Sequence, residues 1–315
     1  MPKLVAIVLI EPYRSLMTST TRLAGVELGG TKAIALLWEG GEVLDRLTVP
    51  TTSPTETLTR LRTRLDQWYA GQSFTGLGIA TFGPVRLDRA APDHGTILAT
   101  PKPGWAGAPV LAILHDGLPC PVAIDTDVNA AALAEYRWGA GQCCASLVYL
   151  TIGTGLGGGV LVDGRPVHGR LHSEIGHIPT RRAPGDAFTG SCPFHRDCIE
   201  GLVSGPALER RFGALPADVP ADDPRWAPVA HDLAHLLATL IHSFAPQRIL
   251  LGGGVSLGAP HLLGLAIALI PDILSGYYPD VDLAALTAMI MPPGLGENAG
   301  PMGAIALAQL ASPSP

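Results

Sequence analysis

Two stretches of the chain share one plan, and that repetition limits the folds open to it. VELGGTKAIALLWEGGEVL (26–44) and LTIGTGLGGGVLVDGRPV (150–167) stand about 120 residues apart. Each reads as an apolar strand, a glycine turn, a second strand and a tight hairpin. Each is followed by alternating helices and strands, so the expected class is α/β with two similar halves. Halves that face each other across a cleft would aim both glycine turns at one point. Glycine lets backbone N–H groups approach phosphate oxygens, because no Cβ stands in the way. Each turn alone reads equally well as an ordinary hairpin. Their repetition, with a third glycine motif in LLGGGV (250–255), points to a nucleoside triphosphate. Neither a GxxxxGK[ST] loop nor a GxGxxG turn opening a helix is present.

The remaining pattern fills in the halves. A strand before Gly29-Gly30, a second at Ala33–Trp38 and a third at Val43–Val49 form an antiparallel meander. Ser53, Pro54 and Glu56 carry a helix-start signature, and Leu58, Leu61, Leu65 and Trp68 follow at helical spacing. TGLGIATFGPV (75–85) reads as a strand ending at Gly83-Pro84, and PVAIDTDVN (121–129) as a short strand before a helix over 128–138. Helices are expected at 199–212 and 226–245, a strand at RILLGGGV (248–255), a short strand near 288–291 and a helix after Gly300.

Composition excludes several classes. A chain of 315 residues, 47% hydrophobic and 15% charged, is globular and large enough for one big domain or two ordinary ones. A net charge of −6 and the lack of a basic run argue against nucleic-acid and anionic-membrane partners. No apolar stretch reaches membrane-spanning length. The run Leu4–Ile10 is too short for a signal-peptide core, so residues 1–23 read as an extension, with Met17 just ahead of the patterned region. A cytoplasmic location is expected. Cys120, Cys143 and Cys144 read as plain thiols, not as a disulfide framework.

Three features offer chemistry. CPFHRDC (192–198) sets Cys192, His195 and Cys198 at metal-ligand spacing; five residues separate the thiols, against a CxxC redox pair. Asp125 and Asp127, at the junction of a strand and a helix, each suit a general base or a helix N-cap, and spacing does not choose. Glu174 and Glu200, taken alone, read as solvated carboxylates.

GGTK (29–32), DTDVNAAALAE (125–135), TIGTGLGGG (151–159), HSEIGH (172–177), the Cys/His cluster and LGGGV (251–255), in that order, resemble the ROK sugar kinases over residues 24–311. GVELGGTK, VPTTSPTETL, GIATFGPV, TPKPGW and CPFHRDCIEGLVSGPAL resemble the bacterial zinc-containing fructokinase branch. The resemblance implies the actin-like ATPase fold of hexokinases, related to ribonuclease H: two α/β domains around a central cleft. The smaller would span 24–125 with the C-terminal helix 298–311. The larger would span 126–297, with a zinc-binding insertion at 172–200.

It also implies ATP- and Mg²⁺-dependent phosphorylation of a hexose, D-fructose to fructose 6-phosphate. Asp127 matches the base. Gly83, Pro84, Lys102, Thr126, Glu174, His177 and Glu200 match sugar-binding positions. Gly29, Gly30, Thr31, Lys32, Gly153, Thr154, Gly155, Gly157, Gly252, Gly253, Gly254 and Asn298 match the ATP site. His177, 15 residues before Cys192, completes a closed set of four zinc ligands with His195 and Cys198. Such a zinc is structural, and would tie HSEIGH to the segment bearing Glu200. A homodimer is implied as well.

Two departures bear on the acceptor. Glu27 stands where the wider family has Asp; a longer carboxylate there can hold Mg²⁺ through water. Thr126 and Lys102 replace Asn contacts of glucokinase-like members, which points away from strict glucose specificity. The alternatives are a ROK kinase for mannose, glucose or an N-acetylhexosamine, and a non-catalytic sugar-binding regulator. Family repressors carry an N-terminal helix-turn-helix domain, for which about 23 residues before the first strand are too few.

Overall fold

The computed structural model describes residues 21–312. Leu4–Ile10 and Met17 lie outside the described residues. The chain divides into two compact units: one runs to Ala130 and resumes at Gly300, and the other spans Ala131–Ala299.

The first unit opens with β1 (Arg22–Leu28), which starts two residues inside the stretch assigned to the extension. Next come β2 (Lys32–Glu39) and β3 (Glu42–Pro50), paired antiparallel as the expected meander. Gly40 and Gly41 turn the second hairpin with φ of 58° and 100°, a backbone that favours glycine. Helix α1 (Pro54–Gln72) is capped by Ser53, whose hydroxyl accepts from Glu56 N, and it buries Leu58, Leu61, Leu65 and Trp68. β4 (Leu77–Thr81), α2 (Val110–His115) and β5 (Val122–Thr126) follow. β4 pairs parallel to β1, and β5 parallel to β4, in the order β3-β2-β1-β4-β5. Helix α3 (Asp127–Trp138) then carries the chain out of this unit.

The second unit repeats that topology. β6 (Ser146–Ile152), β7 (Leu156–Val162) and the two-residue β8 (Arg165–Pro166) form the meander. Helices α4 (Ile199–Val203), α5 (Gly205–Phe212) and α6 (Trp226–Phe244) precede β9 (Arg248–Gly252), which pairs parallel to β6. After α7 (Gly254–Gly258), α8 (Pro260–Leu274) and α9 (Leu283–Met289) comes β10 (Ile290–Met291), parallel to β9. The order β8-β7-β6-β9-β10 is the first sheet's order over again. The duplication read from the two glycine-turn segments is therefore a duplication of sheet topology.

Helix α10 (Ala299–Ala311) belongs to the first unit, where it lies against the β1–β4 face. A Cβ on Gly78 would collide with Ala304 O, so the close packing of helix on sheet needs glycine there. Each unit has its own core, one built on α1 and its sheet, the other on α6, α8 and theirs.

Two expected elements differ. The helix at 199–212 breaks at Ser204, because Gly205 N donates to Gly153 O at 2.7 Å instead of continuing the helix, and Pro206 has no N–H to offer. Of the strand near 288–291, only 290 and 291 are extended; Asp282 accepts from Ala285 N at 2.8 Å and starts a helix that consumes the preceding residues. All five cysteines are free, Cys120 and Cys144 buried and Cys143 exposed.

Candidate active site

In the first unit, β1, β4 and β5 run parallel and end level, with Leu28 beside Thr81 and Thr81 beside Thr126. The residues that follow them therefore emerge at one edge: Gly29-Gly30-Thr31, Gly83-Pro84 and Asp127. Crevices outside the carboxyl ends of parallel strands are where α/β sheets bind ligands. The first glycine turn is held in shape by Thr51, a residue the sequence did not single out. Its hydroxyl donates to Gly29 O at 2.8 Å and its N–H to Thr31 O at 2.9 Å. Lys102 reaches the same turn, its ammonium donating to Gly30 O at 2.5 Å, and burial lowers its pKa. Lys32 is exposed at the start of β2.

Thr126 and Asp127 begin α3. The Thr126 hydroxyl accepts from Asn129 N at 3.2 Å, the bond of an N-cap, and Thr126 is 3% exposed. Asp125 is also 3% exposed, and its Oδ1 accepts from Thr126 N and from the Asn129 amide at 2.8 Å. Asp127 accepts from the N–H of Val128 at 2.9 Å. The residue as a whole is half-buried, and burial of the carboxyl pushes it up to about 7 against that hydrogen bond. Glu27, one residue from the end of β1, packs against Gly300 at the start of α10. Burial, and then the charge of Asp127, push it up to about 7, while Lys32 and Arg46 pull it down. The negative charge of Asp127 thus opposes ionisation of Glu27, a repulsion that a bound divalent cation would relieve.

In the second unit, β6 and β9 end level, Thr151 beside Gly252. Gly153-Thr154-Gly155 and Gly252-Gly253-Gly254 leave the sheet side by side. Gly253 has a φ of 90°, and a Cβ there would lie 2.6 Å from Ile152 N, so both conformation and space demand glycine. The loop after β10 leaves the same edge, and Asn298 closes its short 3₁₀ turn, Gly296–Asn298. Glu200, on the first turn of α4, reaches this edge too: its Oε2 accepts from Leu156 N at 3.0 Å and lies beside Gly155.

HSEIGH runs against the same place. Gly176 packs on Leu156 O so closely that any Cβ would collide with it. Glu174 is exposed, with His172 Nδ1 at 3.4 Å from its carboxylate. His177 turns Nδ1 toward Cys198 Sγ at 3.5 Å and Cys192 Sγ at 3.8 Å, and His195 Nδ1 lies 3.9 Å from Cys192 Sγ. One ligand atom from each of the four lies within 4.8 Å of the others. A tetrahedral zinc with its usual bond lengths puts S and N ligands about 3.6 Å apart, so the set fits that ion. Backbone also joins the two segments: Ile199 N donates to Ile178 O at 3.0 Å, and Pro179 bridges Cys198.

The ROK family model matches residues 23–311. The chain belongs to the ROK family. Among ROK relatives, it is 43% identical to a fructokinase of Zymomonas mobilis over 90% of this chain and 95% of that protein. It is 38% identical to a fructokinase of Pediococcus pentosaceus, over 92% and 98%. The structure is similar to a ROK hexokinase from Thermus thermophilus, with a TM-score of 0.73 and 30% identity, covering 92% of this chain and 98% of that one. It is similar also to a ROK glucokinase from Streptomyces griseus in complex with glucose and AMPPNP, with a TM-score of 0.72, 27% identity, and 92% and 99% coverage. The ROK fold is the actin-like ATPase fold, seen here as two five-stranded sheets of one topology.

Proposed function

We propose that this chain is an ATP-dependent fructokinase that transfers the γ-phosphoryl group of ATP to D-fructose, giving fructose 6-phosphate and ADP. The observation that carries this reading is Asp127, a carboxyl pushed up to about 7 at the strand edge where the first glycine turn also emerges. A base of that pKa is matched to taking a proton near neutrality. Asp127 accepts the sugar hydroxyl proton while the hydroxyl oxygen bonds to phosphorus and the bridging oxygen leaves with ADP. Asp125 is occupied by Asn129 and suits a structural part.

The chain's other residues position and neutralise. Gly29, Gly30, Thr31, Gly153, Thr154, Gly155 and Gly157 would offer backbone N–H groups and hydroxyls to phosphate, Lys32 would offer charge, and Gly252, Gly253, Gly254 and Asn298 would flank the adenosine. Glu27 would hold Mg²⁺ through water, and that ion supplies neutralisation of phosphate charge. Gly83, Pro84, Lys102, Thr126, Glu174, His177 and Glu200 are assigned to the sugar; Thr126 would act chiefly by capping, given its buried, engaged hydroxyl. His177, Cys192, His195 and Cys198 would hold a structural zinc, which would tie down the sugar-binding segment and leave His177 Nε2 for a hydroxyl. The backbone bridge at Pro179–Cys198 shares that task. The fructokinase relatives support fructose as the acceptor. Among the described residues no helix is long and apolar enough to cross a membrane. A cytoplasmic homodimer is the proposed working form, which sizing chromatography checks.

The test is a coupled ADP-release assay across fructose, mannose, glucose and N-acetylhexosamines, with and without Mg²⁺. The expected result is Mg²⁺-dependent turnover with the highest kcat/KM on fructose. Turnover on none of these sugars overturns the reading.

A further inference from the structure

Glu135 ends the DTDVNAAALAE segment, eight residues after Asp127, and its side chain has no part in the chemistry proposed above. It is fully buried in the second unit. A carboxylate so placed needs donors, and it has three, all backbone. Oε2 accepts from Ala140 N at 2.7 Å and Gly294 N at 2.9 Å; Oε1 accepts from Leu295 N at 2.8 Å. Its own carbonyl accepts from Gly139 N and Gly141 N, each at 3.0 Å. The packing is built around it. A Cβ on Gly139 would collide with Oε2, and a Cβ on Gly294 would lie 2.7 Å from Ala140 N.

Gly294 and Leu295 are in the loop that leaves β10 at the sheet edge where Gly252–Gly254 leave β9. That loop closes in Asn298. It also lies against the glycine end of β9: a Cβ on Gly252 would be 3.3 Å from Pro293 Cγ. Without the carboxylate, the N–H groups of Gly294 and Leu295 would lose the acceptor that holds the loop down.

We propose that Glu135 is a positioning residue for the nucleotide, whose carboxylate sets the 293–298 loop against Gly252–Gly254 and so shapes the surface on which the adenosine rests. This rests on the ATP assignment made above. It explains the acid chemically, because an amide cannot replace it. Both oxygens receive N–H donors, so glutamine would turn its own NH₂ toward one of them in either orientation.

The test uses the full chain and calorimetric titration with Mg²⁺-AMPPNP and, separately, with fructose. Glu135→Gln is expected to raise the nucleotide Kd about tenfold and to leave the fructose Kd within about twofold. Gly294→Ala pushes the same loop away from Ala140 while keeping the acid itself, and is expected to give the same split, which keeps the test intact if Glu135→Gln does not fold. Equal weakening of both ligands, or of neither, overturns the proposal. Wild-type protein that binds fructose but not AMPPNP overturns the ATP assignment itself, and the role of Glu135 with it.

Discussion

The Thr126 hydroxyl accepts the hydrogen bond of Asn129 N, and so relieves the adjacent Asp127 of capping the helix that both residues begin. A helix start offers several unpaired N–H groups, and an aspartate there is ordinarily drawn to them. Here the threonine takes the N-cap bond, while burial keeps Asp127 near neutrality. A cap and a base stand on consecutive residues.

Thr126→Val is expected to lose the cap and about 1 kcal/mol of stability, within the usual range for such caps. Thr126→Ser retains the hydroxyl and is expected to melt like the wild type. Thermal unfolding of the two variants checks this; equal melting of all three proteins would mean that the hydroxyl does not cap.

Asp127→Asn is expected to fold and to lose about a thousandfold in kcat, the scale of a general base. Circular dichroism and the ADP-release assay check the two halves of the expectation. A variant that retains wild-type turnover would remove Asp127 from the chemistry.

Asp127 and Glu27 are both raised to about 7, from 3.8 and 4.5. A base must be ionised to act, so kcat/KM for fructose is expected to fall about tenfold per pH unit below about 7. Stability follows the opposite course. The folded state holds these protons more tightly than the unfolded chain, so folding is favoured most below about pH 4 by these two groups, and that contribution declines as pH rises through 7. Asp127→Asn removes its share of the decline, which thermal melts from pH 5 to 8 would read.

Cys198→Ser is expected to abolish stoichiometric zinc, read by elemental analysis, and to raise KM for fructose severalfold with KM for ATP unchanged. The backbone bridge between Pro179 and Cys198 keeps the fold of the segment, so the loss is graded and not complete. An unchanged fructose KM in zinc-free protein would separate the metal from the sugar site.

Gly253→Ala places a Cβ against Ile152 in a left-handed backbone and is expected to cost about 1–3 kcal/mol, with a raised KM for ATP. A variant of wild-type stability would show that the strand end relaxes freely.

Much of this was legible in the sequence because the signals are local. Ser53, Pro54 and Glu56 start a helix by bonds within four residues, and Leu58, Leu61, Leu65 and Trp68 turn one face inward by helical spacing alone. Apolar runs and glycine turns marked both meanders, and a spacing of three residues marked Cys192, His195 and Cys198. What escaped is non-local. The break at Ser204 follows from Gly153, far away in the chain, taking the N–H of Gly205. The part played by Thr51 depends on two carbonyls of a turn twenty residues earlier.

By itself, then, the sequence determined the duplicated α/β plan, the glycine turns and the metal-ligand spacing of Cys192, His195 and Cys198, since periodicity and spacing act within a few residues. Only the tertiary structure decided which aspartate is engaged and which is raised, because burial depends on what packs over a side chain. It alone joined Glu135 to Gly294 and Leu295, 159 and 160 residues on, because a buried carboxylate takes whatever donors the fold brings to it.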